Sequence, residues 1–233
     1  MNPTPTKPAP NRGAARIPVD LRVTLVTDRG IARAAGHELP ELVARAVRGG
    51  VTCVQVREKD AAGAAFLATV LAVAAALPAG VTLLVNDRVD VFLAARAAGA
   101  RVHGVHVGQS DLPVTAVRAL VGPDAVIGLS ASSAEQLRAA ADSPARVDYV
   151  GIGALHATTT KRDAPAPLGL AEFARLAAAS ALPAVGIGGV RAADLPGLRA
   201  AGAAGGAVVS AICGAADPEA AARELAAAWA GTP

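Results

Sequence analysis

Short apolar runs rich in Val, Leu and Ile alternate along the chain with longer Ala/Leu/Arg-rich segments, at a repeat of roughly 25 residues. Eight runs read as strands, at 22–27, 51–57, 81–85, 103–107, 125–129, 147–151, 183–187 and 206–210. The segments between them read as helices, at 38–48, 61–77, 88–98, 113–120, 133–141, 169–179, 191–201 and 217–229. A strand buried on both faces is a short continuous apolar run, and a strand followed by one helix requires parallel neighbours joined by crossovers. Eight such units predict an α/β protein, a single (β/α)8 TIM barrel. A doubly wound open sheet is the alternative. It would gather its polar residues at one switch point, whereas here they follow nearly every strand.

Punctuation along the chain fits the same division. Pro113, and Pro218 after Asp217, stand where a helix start tolerates a missing N–H. Gly49-Gly50 and Gly80 stop helices ahead of strands. The Pro-rich residues 1–20 predict an extended, mobile tail, leaving 21–231 as the barrel and catalytic domain. Residues 155–168 form a polar link with two prolines, longer than the other strand-to-helix links, and read as a lid or binding segment.

Composition then narrows the function. At 53% hydrophobic residues the 233-residue chain can bury a sizeable core without disulfides. Aromatic residues make up only 2%, which argues against base stacking on nucleic acid. The net charge of +3 comes from Lys7, Arg12 and Arg16, and the remaining 19 basic residues balance 19 acidic ones. Cys53 and Cys213 lie in apolar contexts without ligand spacing, reading as inert buried thiols of a cytoplasmic protein. No stretch has the composition of a secretory signal or a membrane span. The expected partners are small molecules rather than nucleic acid or membrane, with a homo-oligomeric state left open.

Candidate chemistry lies where strands end. Leu83-Leu84-Val85 runs straight into Asn86-Asp87, and a second acid, Asp111, follows Val105-His106-Val107. Two carboxylates at strand ends suit Mg²⁺, which takes one or two of them together with substrate phosphates. Helix capping is the rival role for both. Gln55, Arg57 and Lys59 share one phase of strand alternation and would converge on a polyanion, unless they are ordinary charges at an exposed strand end. Thr158, Thr159, Thr160 and Lys161 combine hydroxyls with a cation, natural donors to phosphate. Gly186-Ile187-Gly188-Gly189 and Val208-Val209-Ser210 follow the seventh and eighth runs, where barrels commonly bind a phosphate by backbone N–H groups. His106 reads as a core residue with a satisfied ring, and His103 as structural or surface.

In this order and spacing, Val-Thr-Asp (26–28), Gln-Val-Arg-Glu-Lys (55–59), Val-Asn-Asp-Arg (85–88), Gly-Val-His-Val-Gly-Gln-Ser-Asp (104–111), Gly-Leu-Ser (128–130), Thr-Thr-Thr-Lys (158–161), Gly-Ile-Gly-Gly-Val (186–190) and Val-Ser-Ala-Ile (209–212) closely resemble the thiamine phosphate synthase family, over about residues 22–228. The resemblance implies a transferase joining 4-amino-5-hydroxymethyl-2-methylpyrimidine diphosphate to 4-methyl-5-(2-hydroxyethyl)thiazole phosphate, releasing pyrophosphate. By it, Asp87 and Asp111 hold Mg²⁺. Arg57, Lys59, Asn86 and Lys161 bind the diphosphate, and Ser130 and Gln55 fix the pyrimidine. Thr158, Thr160, Gly188 and the Val209-Ser210 backbone hold the thiazole phosphate. Arg57, Lys59, Ser130 and Lys161 are the implied catalytic residues. The chain departs from the family pattern in three places. Gly153-Ala154-Leu155-His156-Ala157-Thr158 stands where the family usually has Gly-Pro-Ile-Phe-Pro-Thr. The segment Arg101-Val102-His103 is two residues longer than usual. Ser132 replaces a common His. A related barrel, the thiazole tautomerase, uses a His at this place for proton transfer, and it is one alternative. A non-catalytic binding protein for thiamine precursors is another.

Overall fold

The computed structural model describes residues 19–158 and 166–231. Nearly all of the predicted tail lies outside the described residues, as do Thr160 and Lys161. Eight parallel strands close into a barrel in sequence order: β1 (Val23–Val26), β2 (Cys53–Val56), β3 (Thr82–Asn86), β4 (Gly104–Val107), β5 (Val126–Ser130), β6 (Tyr149–Ile152), β7 (Ala184–Ile187) and β8 (Gly205–Val208). Pairing of Val23 with Gly206 and of Leu25 with Val208 closes the ring. All eight expected strands are present, so the barrel, rather than the open sheet, is the fold.

Ten α-helices are found among the described residues: α1 (Arg29–Ala34), α2 (Leu39–Arg48), α3 (Gly63–Ala76), α4 (Val89–Ala97), α5 (Val114–Val121), α6 (Ala134–Asp142), α7 (Gly169–Ala179), α8 (Leu195–Ala200), α9 (Ser210–Cys213) and α10 (Pro218–Ala230). Their inward faces follow the helical period. In α2 the buried residues are Leu39, Leu42, Val43 and Ala46. Two helices were not expected, α1 and α9, with six and four residues. Neither is long enough to show a periodic apolar stripe. The segment 191–201 also divides, into a 3₁₀ turn at Ala192–Asp194 and α8, whose start carries Pro196.

Strand residues alternate between two cores. Leu25, Val54, Leu83, Val85, Val105, Ile127, Val150 and Val208 face the helices. Val26, Cys53, Leu84, Tyr149, Val185 and Ala207 fill the barrel. Apart from Thr24, whose hydroxyl donates to Leu21 O, both layers are apolar until the C-terminal ends of the strands are reached. There the inward positions become Gln55, Asn86, His106 and Ser130, a polar floor beneath the mouth. Cys53 and Cys213 are both fully buried, and burial pushes their thiols up to about 12 and about 11, which makes them inert. At the opposite end of the barrel Arg22, Thr52, Arg199 and Trp229 line a cavity of about 430 Å³.

Candidate active site

The polar floor is a chain of hydrogen bonds running toward one carboxylate. Gln55 Nε2 donates to Asn86 Oδ1 at 2.7 Å. With its oxygen thus engaged, Asn86 offers its amide N–H groups to the neighbouring Asp87, whose carboxyl pKa it lowers. Asp87 is the first residue past β3 and has φ of 60°, the left-handed region that a non-glycine residue seldom occupies. Three backbone bonds lock it there: Asp87 N–H to His106 O at 2.8 Å, Arg88 N–H to Asn86 O at 2.7 Å, and Val89 N–H to Asp87 O at 3.1 Å.

That conformation brings the Asp87 carboxylate within hydrogen-bonding reach of Asp111. Burial, followed by the Asp111 charge, pushes the Asp87 carboxyl up to about 6, while Asn86 and Lys59 pull it partway back. The capping alternative does not hold for either acid. α4 is entered through Arg88 and α5 through Pro113, and neither start has a side-chain cap. Asp111 instead accepts the N–H of Gly108 at 2.7 Å, which folds its own loop and fixes one carboxylate oxygen.

Among the described residues no group of three or more His, Cys, Asp or Glu side chains gathers in metal-binding proximity. The donor set is two carboxylates at an open mouth. It lacks the soft or imidazole ligands a transition metal would use, and fits a hard cation that completes its shell with water and phosphate oxygens.

His106 is buried with both ring nitrogens satisfied, as its sequence reading expects. Its Nδ1 lies 2.8 Å from the Tyr149 hydroxyl and its Nε2 lies 3.0 Å from Ser130 Oγ. The ring therefore couples a fully buried tyrosine to a serine at the floor. Gly128 makes room for this, since a Cβ there would overlap both rings. Tyr149 is held as the neutral phenol, because burial raises its pKa well above the ordinary value. Strand alternation was the signal for His106: it falls in the inward phase, beside Asn86 in register. His103, by contrast, is structural, with Nδ1 accepting the Leu83 N–H at 2.9 Å.

The expected convergence of Gln55, Arg57 and Lys59 by strand alternation needs correction. β2 ends at Val56, so only Gln55 is placed by the pleat. Arg57 is half-buried just beyond, its N–H bound to Thr27 Oγ1 at 3.0 Å. Lys59 reaches the site from the following loop, close enough to lower the Asp87 pKa. Between them Glu58 buries Oε1 with no hydrogen-bonding partner among the described residues, and burial raises its pKa.

The other predicted residues stand at the ends of adjacent strands. Gly188 follows β7 and Val209-Ser210 follow β8, where Ser210 opens α9. Gly188 has φ of 91°, and a Cβ on it would lie 2.6 Å from that of Ala154 in the loop after β6. Thr158 lies further along that loop. The mouth is thus divided: carboxylates, amides and Lys59 at the ends of β2 to β4, and Gly, Ser and Thr at the ends of β6 to β8.

Comparison with known proteins gives a consistent picture. Residues 23–212 match the family described as thiamine monophosphate synthase. A thiamine-phosphate synthase of Azorhizobium caulinodans is 50% identical over 209 residues, covering 89% of this chain and 94% of that one. One from Albidiferax ferrireducens is 45% identical over 206 residues, covering 88% and 90%. Among solved structures, a thiamine phosphate pyrophosphorylase from Pyrococcus furiosus superposes with a TM-score of 0.79 at 28% identity, covering 91% of this chain and 97% of that one.

Proposed function

The chain belongs to the thiamine monophosphate synthase family, and we propose that it joins 4-amino-5-hydroxymethyl-2-methylpyrimidine diphosphate to 4-methyl-5-(2-hydroxyethyl)thiazole phosphate, using Mg²⁺ held by Asp87 and Asp111. The observation that carries this reading is the meeting of those two acids, 24 residues apart in sequence, at one barrel mouth beside Lys59. A pair of carboxylates pressed together raises its own proton affinity and is matched to a divalent cation. Bound there, Mg²⁺ would neutralise charge on the departing pyrophosphate.

The protein's residues then have distinct tasks. Arg57, Lys59, Asn86 and Lys161 grip the diphosphate. Gln55 and Ser130 orient the pyrimidine, with His106 holding the Ser130 hydroxyl in one direction. Thr158, Thr160, Gly188 and the Val209-Ser210 backbone hold the thiazole phosphate. Pyrophosphate leaves as the electron-rich aminopyrimidine stabilises the methylene cation, and the thiazole nitrogen captures that carbon. No protein nucleophile takes part, so the rate gain comes from positioning and leaving-group stabilisation. Two substrates need two anion sites, and the divided mouth supplies them. The two buried thiols suit a cytoplasmic setting.

Ser132 speaks against a tautomerase. Its N–H and hydroxyl are both directed at Gln136 Oε1, at 2.8 and 3.4 Å, and a hydroxyl is a poor proton carrier near neutrality. The deciding experiment supplies both substrates with Mg²⁺ and follows thiamine phosphate and pyrophosphate. Equal amounts of both products are expected, with Asp87→Ala lowering the rate by at least about 100-fold while the fold is kept. Undiminished turnover in that variant would remove the metal assignment.

A further inference from the structure

The loop leaving β6 is pinned to its neighbours more firmly than a connector requires. Leu155 N–H donates to Ile187 O at 2.8 Å and His156 N–H to Gly188 O at 2.9 Å, so pairing with β7 continues past the ends of both strands. The His156 ring then reaches Asp194, with Nε2 2.9 Å from Oδ1. Asp194 is itself fixed, since its other oxygen accepts the Arg191 N–H at 2.8 Å. Behind the ring, His156 Cβ stands 2.9 Å from where a Cβ on Gly189 would be. One residue thus joins three segments: its backbone ties the β6 loop to the Gly188-Gly189 turn, and its imidazole ties that loop to the 3₁₀ turn ahead of α8.

We propose that His156 is a positioning residue for the thiazole-phosphate pocket: latched to Asp194, it sets the spacing between Thr158, two residues on, and the Gly188-Gly189 turn. The inference rests on reading those residues as the thiazole-phosphate site. An ordinary surface ion pair would contribute little beyond slight stability. This pair differs in its setting. Its partners are 38 residues apart, its carboxylate is held at both oxygens, and only a glycine at position 189 leaves room for the His156 side chain. His156 touches no substrate in this scheme. It acts through the two phosphate-binding segments it holds together, where a shift of a fraction of an ångström weakens several hydrogen bonds at once.

The test is steady-state kinetics on the full chain, varying each substrate in turn. In His156→Ala the KM for the thiazole phosphate is expected to rise about tenfold. The KM for the pyrimidine diphosphate should stay within about twofold, with the thermal midpoint little changed. His156→Gln, whose side-chain amide can still donate to Asp194, should recover most of the loss. Asp194→Ala should reproduce it, and the double variant should be no worse than either single one, as for partners in one contact. A KM for the thiazole phosphate that does not move, equal movement of both KM values, or additive single effects would each overturn the proposal. Failure of the unaltered chain to form thiamine phosphate would remove the underlying reading and the latch together. An active parent with an unaffected His156→Ala removes the latch alone.

Discussion

Asp87 joins two features that each oppose stability. Its left-handed backbone costs about 1 kcal/mol in a non-glycine residue, and its carboxylate is buried against Asp111. Asparagine tolerates the same backbone region and carries no charge. Asp87→Asn should therefore lose most activity yet raise the thermal midpoint at pH 7, measured in chelator, by roughly 2–4 °C. The pH dependence has a definite sign. The folded carboxyl titrates at about 6 and the ordinary value is 3.8, so between them the folded state holds more protons than the unfolded one. Without a cation, this group makes the protein more stable as pH falls from 7 toward 5, and the gain levels off below about 4. A midpoint-versus-pH series should show that slope in the parent, flattened in Asp87→Asn and in saturating Mg²⁺. Sequence showed the acid, because an apolar run ending in Asn-Asp places a carboxylate at a strand mouth. It did not show the backbone twist, which is enforced by a bond from the next strand, Asp87 N–H to His106 O.

At the scale of elements, the strands were the legible part. Both faces are buried, so each appears as an unbroken apolar run whichever way its residues point. For the same reason the apolar runs alone do not separate inward from outward residues, and the inward place of His106 follows from its register beside Asn86. The short helices α1 and α9 were illegible because four to six residues cannot display a 3.6-residue period. Glycines mark where these elements approach most closely. Gly128→Ala would press a methyl group into Tyr149 and His106. It should cost about 1–3 kcal/mol or more by denaturant titration, and should also impair catalysis by turning Ser130. Gly188→Ala combines a strained φ with a clash against Ala154, and should selectively raise the KM for the thiazole phosphate. A Gly128→Ala protein of unchanged stability, or a Gly188→Ala enzyme with an unchanged KM, would show that the neighbouring loops yield more easily than their packing suggests.

Across the whole molecule, the barrel separates chemistry from support. Acids, amides and hydroxyls sit at the C-terminal ends of the strands, and the far end is closed by Leu21, beside Gly205, with the cavity around Arg22 and Arg199 lying at that end. The order of eight units in the sequence dictated this polarity, since every crossover returns the chain to the same starting end. The chain has one tyrosine and one tryptophan, and they fall on opposite sides of that divide. Tyr149 lies inside the barrel against His106, whereas Trp229 is half-exposed on α10 at the far cavity. Nature has in effect fitted two optical reporters, one per pole. Urea melts followed by tyrosine difference absorbance and by tryptophan emission should coincide if the barrel unfolds as one cooperative unit, and an earlier tyrosine transition would reveal a catalytic pole that loosens ahead of its base.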